Sequence, residues 1–342
     1  MEGKQKIVVI VGPTASGKSS LAIRLATLLG GEVVSADSLQ IYRGFDIGSA
    51  KPTPDERLGI PHHLMDIVDP DEEFSAADYV RRADEAIAGI VRRGGVPIVA
   101  GGTGLYVRTL LHGLVPSPGA DPDFREEMNR IARQEGNEAV HRLLREVDPA
   151  AAASIHPNNL VRTIRALEVW HGAGRPISSF WRDHRFVDER YDALLLGISP
   201  PQEILAQRIK DRVGMMIERG LVEEVRGLLQ QGYSPDLKPF GAIGYREVIS
   251  LLAGEMSLSE TVDLIVRNTR RYAKRQMTWF RRERSINWLE YPENFASIRS
   301  TVIQFIAQGV ECHAKGAVQH PGSVSQSVEE GAGSGPVDPD VG

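Results

Sequence analysis

Eight residues near the start of the chain, Gly12, Pro13, Thr14, Ala15, Ser16, Gly17, Lys18 and Ser19, have the spacing GxxxxGK[ST], which is chemistry for holding phosphate. Glycines let the backbone curl until successive N–H groups converge on an anion, and the helix that follows turns its positive end towards the same point. Lys18 adds a mobile positive charge, and the Ser19 hydroxyl is a ligand for Mg²⁺. A glycine turn without a ligand is the bland alternative. The setting argues against it, because an apolar strand (7–12) precedes the motif and a helix (19–29) follows it.

A phosphate cradle does not say which phosphate compound it takes. An ordinary nucleotide hydrolase ends a second apolar strand with an acid that helps to hold Mg²⁺, whereas here the run 97–102 ends in Gly101-Gly102-Thr103-Gly104. Asp37 and Asp66 close other apolar runs and stay open as substitutes. Asp37 stands where a parallel sheet presents groups to a ligand crevice, so its carboxylate can accept a hydrogen bond and then a proton. Its alternative roles are a helix cap or an acid that holds a metal-bound water.

These groups need a scaffold, and the spacing of apolar residues supplies one. Runs 7–12, 32–37, 62–68 and 97–102 are short, apolar and closed by Gly, Asp or Pro, as buried parallel strands are. Helix-length segments, 19–29 and 75–93 among them, separate them, and the expected fold class is α/β, a doubly wound parallel sheet like that of P-loop NTPases. From 114 to 190 the texture turns helical (Leu143, Leu144, Val147; Leu160, Ile164, Leu167), which predicts an inserted all-helical domain. Run 191–199 returns to the sheet. Helices are then predicted over 201–219, 221–231, 245–253 and 258–284, with a last strand at 287–291. The catalytic core is thus 1–113 with 191–309, and 310–342, rich in Gly, Ser and Pro, is a disordered tail.

The net charge of −5 gives no argument against nucleic acid, because most of it resides in the tail: residues 311–342 hold five acids and one base, and without them 39 basic residues face 40 acidic ones. One cysteine, Cys312, excludes internal disulfides, and no cysteine/histidine set has zinc spacing. With no membrane-length apolar run and no cleavage signal, the expectation is a soluble cytoplasmic protein without membrane contact.

Several motifs, in order, are together more specific than any one alone. Asp37-Ser38-Leu39-Gln40 with Ile41-Tyr42, Asp46-Ile47-Gly48-Ser49-Ala50-Lys51-Pro52, Pro61-His62-His63-Leu64, Gly101 to Tyr106, Gly244-Tyr245-Arg246 and Asn268 to Gln276 with Thr278-Trp279-Phe280-Arg281 resemble the tRNA dimethylallyltransferase family over roughly 7–291. The resemblance implies transfer of the dimethylallyl group of dimethylallyl diphosphate to N6 of the adenosine 3′ of the tRNA anticodon, with Mg²⁺ and with the insertion covering the site. A monomer that grips the anticodon stem-loop is expected.

The resemblance also implies roles. Asp37 activates the amine, with Lys18 and Thr103 beside it in catalysis. Gly12 to Ser19 hold the diphosphate, and Ser19 the metal. Arg208 or Arg212, one turn apart on helix 201–219, completes the anion trap; ion pairs with Asp211 or Glu218 are the alternative. Asp37, Ser38, Leu39, Gln40, Thr103 and Arg125 face the tRNA. Residues 267–284 carry eight basic side chains and one acid, so Arg271 and Arg275, with Arg162, Arg165 and Arg246, are assigned to tRNA phosphates, while Ile265, Tyr272 and Trp279 repeat every seven on a packing side. Three rivals stay in view: a P-loop kinase of a small metabolite or nucleotide, a non-catalytic RNA-binding module, and a prenyltransferase of free adenine nucleotides, which would need no large basic surface.

Overall fold

The computed structural model describes residues 4–114, 117–184 and 189–314. In chain order the elements are β1 (Lys6–Val11), α1 (Lys18–Leu29), β2 (Glu32–Ser35), β3 (His62–His63), α2 (Ala76–Arg92), β4 (Pro97–Gly101), α3 (Gly104–His112), α4 (Pro122–Glu135), α5 (Asn137–Val147), α6 (Pro149–Ser154), α7 (Leu160–Ala173), α8 (Ile177–His184), β5 (Asp192–Ile198), α9 (Gln202–Glu218), α10 (Leu221–Gln230), α11 (Tyr245–Leu252), α12 (Leu258–Phe280), β6 (Asn287–Leu289) and α13 (Phe295–Ala314).

All six strands are parallel, in the order β3-β2-β4-β1-β5-β6. β1 is buried from Ile7 to Val11 because helices cover both faces: Ile7, Val9 and Val11 point into one apolar core and Val8 and Ile10 into the other. Burial of each such side chain contributes about 1.5–3 kcal/mol. The chain leaves β1 for β2 on one side and β4 for β5 on the other. The order therefore reverses between β1 and β4, and parallel sheets bind ligands beyond the carboxyl ends of strands at such a reversal. The phosphate loop and the Gly101–Gly104 loop both emerge there.

Local signals explain the main helices. In α1, Leu21, Ala22, Leu25 and Ala26 repeat at helical spacing and face the sheet, and Gly30 ends the helix in the left-handed region. Ser75 and Ser257 each form a capping box, with Asp78 and Glu260, at the starts of α2 and α12. Helices α4 to α8 enclose a separate core of Met128, Val140, Leu144, Ile164 and Leu167.

Several boundaries differ from the expectation. The apolar run 62–68 forms a strand only at His62 and His63, with a single parallel bridge from Val68 to Tyr42 further on, because Leu64 and Asp66 adopt φ of 63° and 56°, which no continuous strand accommodates. The predicted helix 258–284 stops at Phe280, leaving Arg281, Arg282 and Arg284 beyond it. α13 has no counterpart among the predicted elements. It lays Ile298 and Val302 on the core beside α1 and runs through residues 310–314 of the expected tail. The rest of that tail lies outside the described residues.

Candidate active site

The phosphate loop joins β1 to α1. Gly17 sits at the N-cap of α1 with φ 101°, a left-handed conformation that lets the chain enter the helix with its N–H groups facing outward from the sheet. Ala15, itself at φ 63°, is buried against Ile209 of α9 and Ala273 of α12, so two distant helices brace the loop. Lys18 Nζ donates to the Pro13 carbonyl at 2.6 Å, folded over its own loop. Loss of hydration lowers the pKa of this ammonium to about 7; repulsion by Arg212 adds to the shift, and the nearby Asp37 opposes it. An arriving anion would give Lys18 a further counter-charge.

Asp37 follows β2. Its Oδ1 accepts the backbone N–H of Leu39 at 2.9 Å and that of Gln40 at 3.4 Å, a tight turn that points the rest of the carboxylate outward. Thr103 buttresses the turn: its hydroxyl accepts the Ser38 N–H at 3.0 Å and donates to Ser38 Oγ at 3.3 Å. A cavity of about 500 Å³ separates this turn from the phosphate loop. Its polar wall includes Lys18, Ser19, Asp37, Arg212 and Arg275, and its apolar wall Leu39, Ile209, Val213, Met216, Ile243 and Ile265. Arg212 donates to Thr14 Oγ1 at 3.3 Å, and burial depresses its pKa. Arg208 reaches the Ser16 carbonyl at 3.5 Å. Both arginines of α9 therefore meet the phosphate loop, with Arg212 facing the cavity. Among the described residues no three His, Cys, Asp or Glu side chains cluster to hold a metal unaided, and no helix is long and apolar enough to cross a membrane.

The model of a family described as IPP transferase matches residues 40–283. The chain belongs to this family. A relative from Geobacter sulfurreducens called tRNA dimethylallyltransferase is 58% identical over 302 residues, 88% of this chain and 97% of its own length. The crystal structure of the tRNA isopentenylpyrophosphate transferase from Bacillus halodurans, 39% identical, superposes with a TM-score of 0.67 over 91% of this chain and all of that one. A eukaryotic dimethylallyltransferase acting on tRNA, 32% identical, gives 0.72 over 84% of this chain and 74% of its own.

In this member of the IPP transferase family, most of the residues singled out from sequence fall into three groups, while Gly12, Pro13, Ser16, Thr103 and Arg208 do not line the cavity. Thr14, Ala15, Gly17, Lys18, Ser19, Asp37, Ser38, Leu39, Gln40, Arg212, Arg246 and Arg275 line the one cavity. Gln40 does so with a buried amide already committed: Ser35 Oγ donates to it at 3.1 Å, and it donates towards the Ser49 and Ala50 carbonyls. Arg271 lies on the exposed outer side of α12, with Arg267, Arg270 and Lys274. Arg125, Arg162 and Arg165 sit in the helical insertion; Arg125 grips buried Glu168 through two nitrogens at 2.6 and 3.0 Å, and Arg165 bonds the same carboxylate. Asp66, a candidate metal acid by position, is occupied by Lys51 Nζ at 2.5 Å.

Sequence reasoning missed other participants. Tyr272, assigned to a packing side, faces the cavity; burial and the Asp37 charge raise its pKa, and its hydroxyl meets Gln276. Half-buried Glu224 accepts the backbone N–H groups of Asp46, Ile47 and Gly48 at 3.1, 2.7 and 3.2 Å, and the Tyr245 hydroxyl at 2.6 Å, holding the loop that lines one side of the cavity. The aromatic positions within the quoted motifs were a signal for Tyr272. Nothing local marked Glu224.

Proposed function

We propose that the protein transfers the dimethylallyl group from dimethylallyl diphosphate to N6 of the tRNA adenosine immediately 3′ of the anticodon. One observation carries this reading: a phosphate cradle, a carboxylate and an apolar wall face each other across a single cavity. The cradle and Arg212 receive the diphosphate, and the wall of Ile209, Val213, Met216, Ile243 and Ile265 suits a short branched hydrocarbon tail.

The adenine amine is a poor nucleophile because its lone pair is delocalised into the ring. Asp37 accepts a hydrogen bond from N6 and takes its proton as nitrogen bonds to C1 of the prenyl group and the C1–O bond breaks. The departing diphosphate keeps that electron pair, and the loop amides, Lys18 and Arg212 stabilise its charge. Thr103 acts through Ser38, holding the turn on which Asp37 stands.

The oxygen donors at the cavity, the exposed Ser19 hydroxyl foremost, would help to hold a hard cation such as Mg²⁺. Such a cation supplies further charge neutralisation for the leaving group. The outer side of α12, through Arg271 and its neighbours, and Arg246 and Arg275 at the rim take tRNA phosphates. Helices α4 to α8, with Arg125, Arg162 and Arg165, close over the anticodon stem-loop. The enzyme acts as a monomer, in the cytoplasm with its substrate.

The test is direct. Protein, tRNA, dimethylallyl diphosphate and Mg²⁺ are incubated, the tRNA is digested, and N6-isopentenyladenosine is sought by mass. Product without ATP supports the reading. ATP-dependent phosphorylation without prenyl transfer supports a kinase, turnover of free adenine nucleotide but not tRNA supports the hormone-type prenyltransferase, and tRNA retention without turnover leaves only an RNA-binding module.

A further inference from the structure

Gln276 belongs to the helix that carries the basic face, yet its side chain points the opposite way, into the protein, and is only 6% exposed. Its Oε1 accepts the backbone N–H of Thr14 at 2.8 Å, and its Nε2 donates to the Gly102 carbonyl at 2.9 Å. One amide thus joins the phosphate loop to the loop after β4, residues separated from it in the chain by 262 and 174 positions respectively. The fit is close. A Cβ at Gly102 would lie 2.2 Å from Gln276 Nε2, so a side chain there would push this amide off its two hydrogen bonds, while the backbone angles of Gly102 place no demand for glycine.

The two bridged loops carry the two halves of the reaction. The phosphate loop holds the leaving group. Gly102 is followed by Thr103, whose hydroxyl fixes Ser38 and so the Asp37 turn. We infer that Gln276 is a positioning residue that sets the spacing between the diphosphate cradle and the turn bearing the proton acceptor, from a helix whose other side engages tRNA. The inference rests on the transferase reading above.

An amide suits the task because it offers a donor and an acceptor at a fixed separation without charge, leaving the electrostatics of the anion site to Lys18 and Arg212. Displacement of reacting groups by about 1 Å can cost a factor on the order of 10² in rate, so loss of the bridge should appear in turnover before it appears in stability.

The experiment uses the full chain with tRNA, dimethylallyl diphosphate and Mg²⁺. Gln276→Met keeps the length and bulk but neither hydrogen bond. The expected result is kcat lower by about tenfold or more and a raised KM for dimethylallyl diphosphate, with an unchanged KM for tRNA, whose basic partners stay in place. A merely structural amide would lower the melting temperature and leave both the kcat per folded site and the diphosphate KM alone; that outcome overturns the inference, as does a defect confined to the tRNA KM. If Gln276→Met does not fold, Gln276→Asn, which retracts both polar ends by one methylene, must show the same split. A second measurement depends on the close approach itself: Gly102→Ala is strongly impairing in the natural background but adds nothing in a Gln276→Ala background, where the clash is gone. Additive losses would overturn the bridge. Absence of any product from the unmodified protein refutes the transferase reading itself, an outcome distinct from normal turnover by the Met variant.

Discussion

Lys18 offers a quantitative test of the anion site through pH. Its ammonium titrates near pH 7 in the ligand-free protein because burial and Arg212 outweigh the pull of Asp37. At pH 7 about half of the molecules then carry the charge, and at pH 8.5 about 3% do. A bound diphosphate supplies a counter-charge and returns the pKa upward, so binding takes up a proton throughout this window. The terminal phosphate of the substrate, with a pKa near about 6, is already ionised there and does not mask the effect. Affinity for dimethylallyl diphosphate should fall on the order of tenfold from pH 7 to 8.5. Titration calorimetry in two buffers of different ionisation enthalpy measures both the affinity and the proton uptake. Lys18→Arg, whose charge persists across the range, should bind with little pH dependence. The same shift bears on stability. Because the folded pKa lies below the unfolded value, the unfolded chain holds more protons between about pH 7 and 10, so this residue's contribution to stability rises with pH over that interval and is least favourable below it. Lys18→Met should therefore raise the melting temperature of the ligand-free protein most at pH 6. Affinity that is flat from pH 7 to 8.5, or proton release on binding, would show that the Lys18 ammonium does not titrate against the bound anion.

Three other outcomes follow from the site. Asp37→Asn preserves the Oδ1 turn to Leu39 and Gln40 while removing the base, so single-turnover prenyl transfer should slow by about 10²-fold or more with tRNA affinity retained; near-normal rates would remove Asp37 from the chemistry. Replacement of Arg271 and Lys274 by alanine should reduce the slope of log affinity for tRNA against log salt by roughly 0.7–0.9 for each phosphate that is no longer neutralised, measured by filter binding, with diphosphate affinity intact. Glu224→Ala strands three backbone N–H groups and the Tyr245 hydroxyl, and denaturant titration should show a drop in stability of about 2–4 kcal/mol, whereas a drop under about 0.5 kcal/mol, the range of ordinary surface substitutions, would show that the 46–48 loop holds itself.

The local parts of the site were legible because local chemistry specifies them. GxxxxGKS after a buried apolar run dictates a loop that curls its amides around an anion wherever the rest of the chain lies, and Asp37 at the end of another such run had to reach the same edge of a parallel sheet. The mid-chain helical texture likewise announced α4 to α8, whose apolar spacing closes a separate small core.

Which distant surfaces meet is a matter of packing. Helical period tells which residues of α12 share a side, but not that Tyr272 and Gln276 border a cavity while Arg267 and Arg271 face water; that depends on where α9 and the phosphate loop press against the helix. The spacing of Arg208 and Arg212 placed both on one side of α9 and left open whether solvent or the phosphate loop lay opposite, and the bonds to Ser16 and Thr14 answer it. Glu224 lies in no motif, and Lys51 and Gln276 lie in motifs that did not show what they bind, since the partners of all three are mostly backbone groups or side chains brought near by folding. The phosphate loop, the parallel α/β core and the acid at its edge could be read from residue order alone, because short-range backbone geometry and burial period encode them. The distance between the cradle and that acid was set by packing across the sheet, because pairings between residues hundreds of positions apart exist only once the chain has closed on itself.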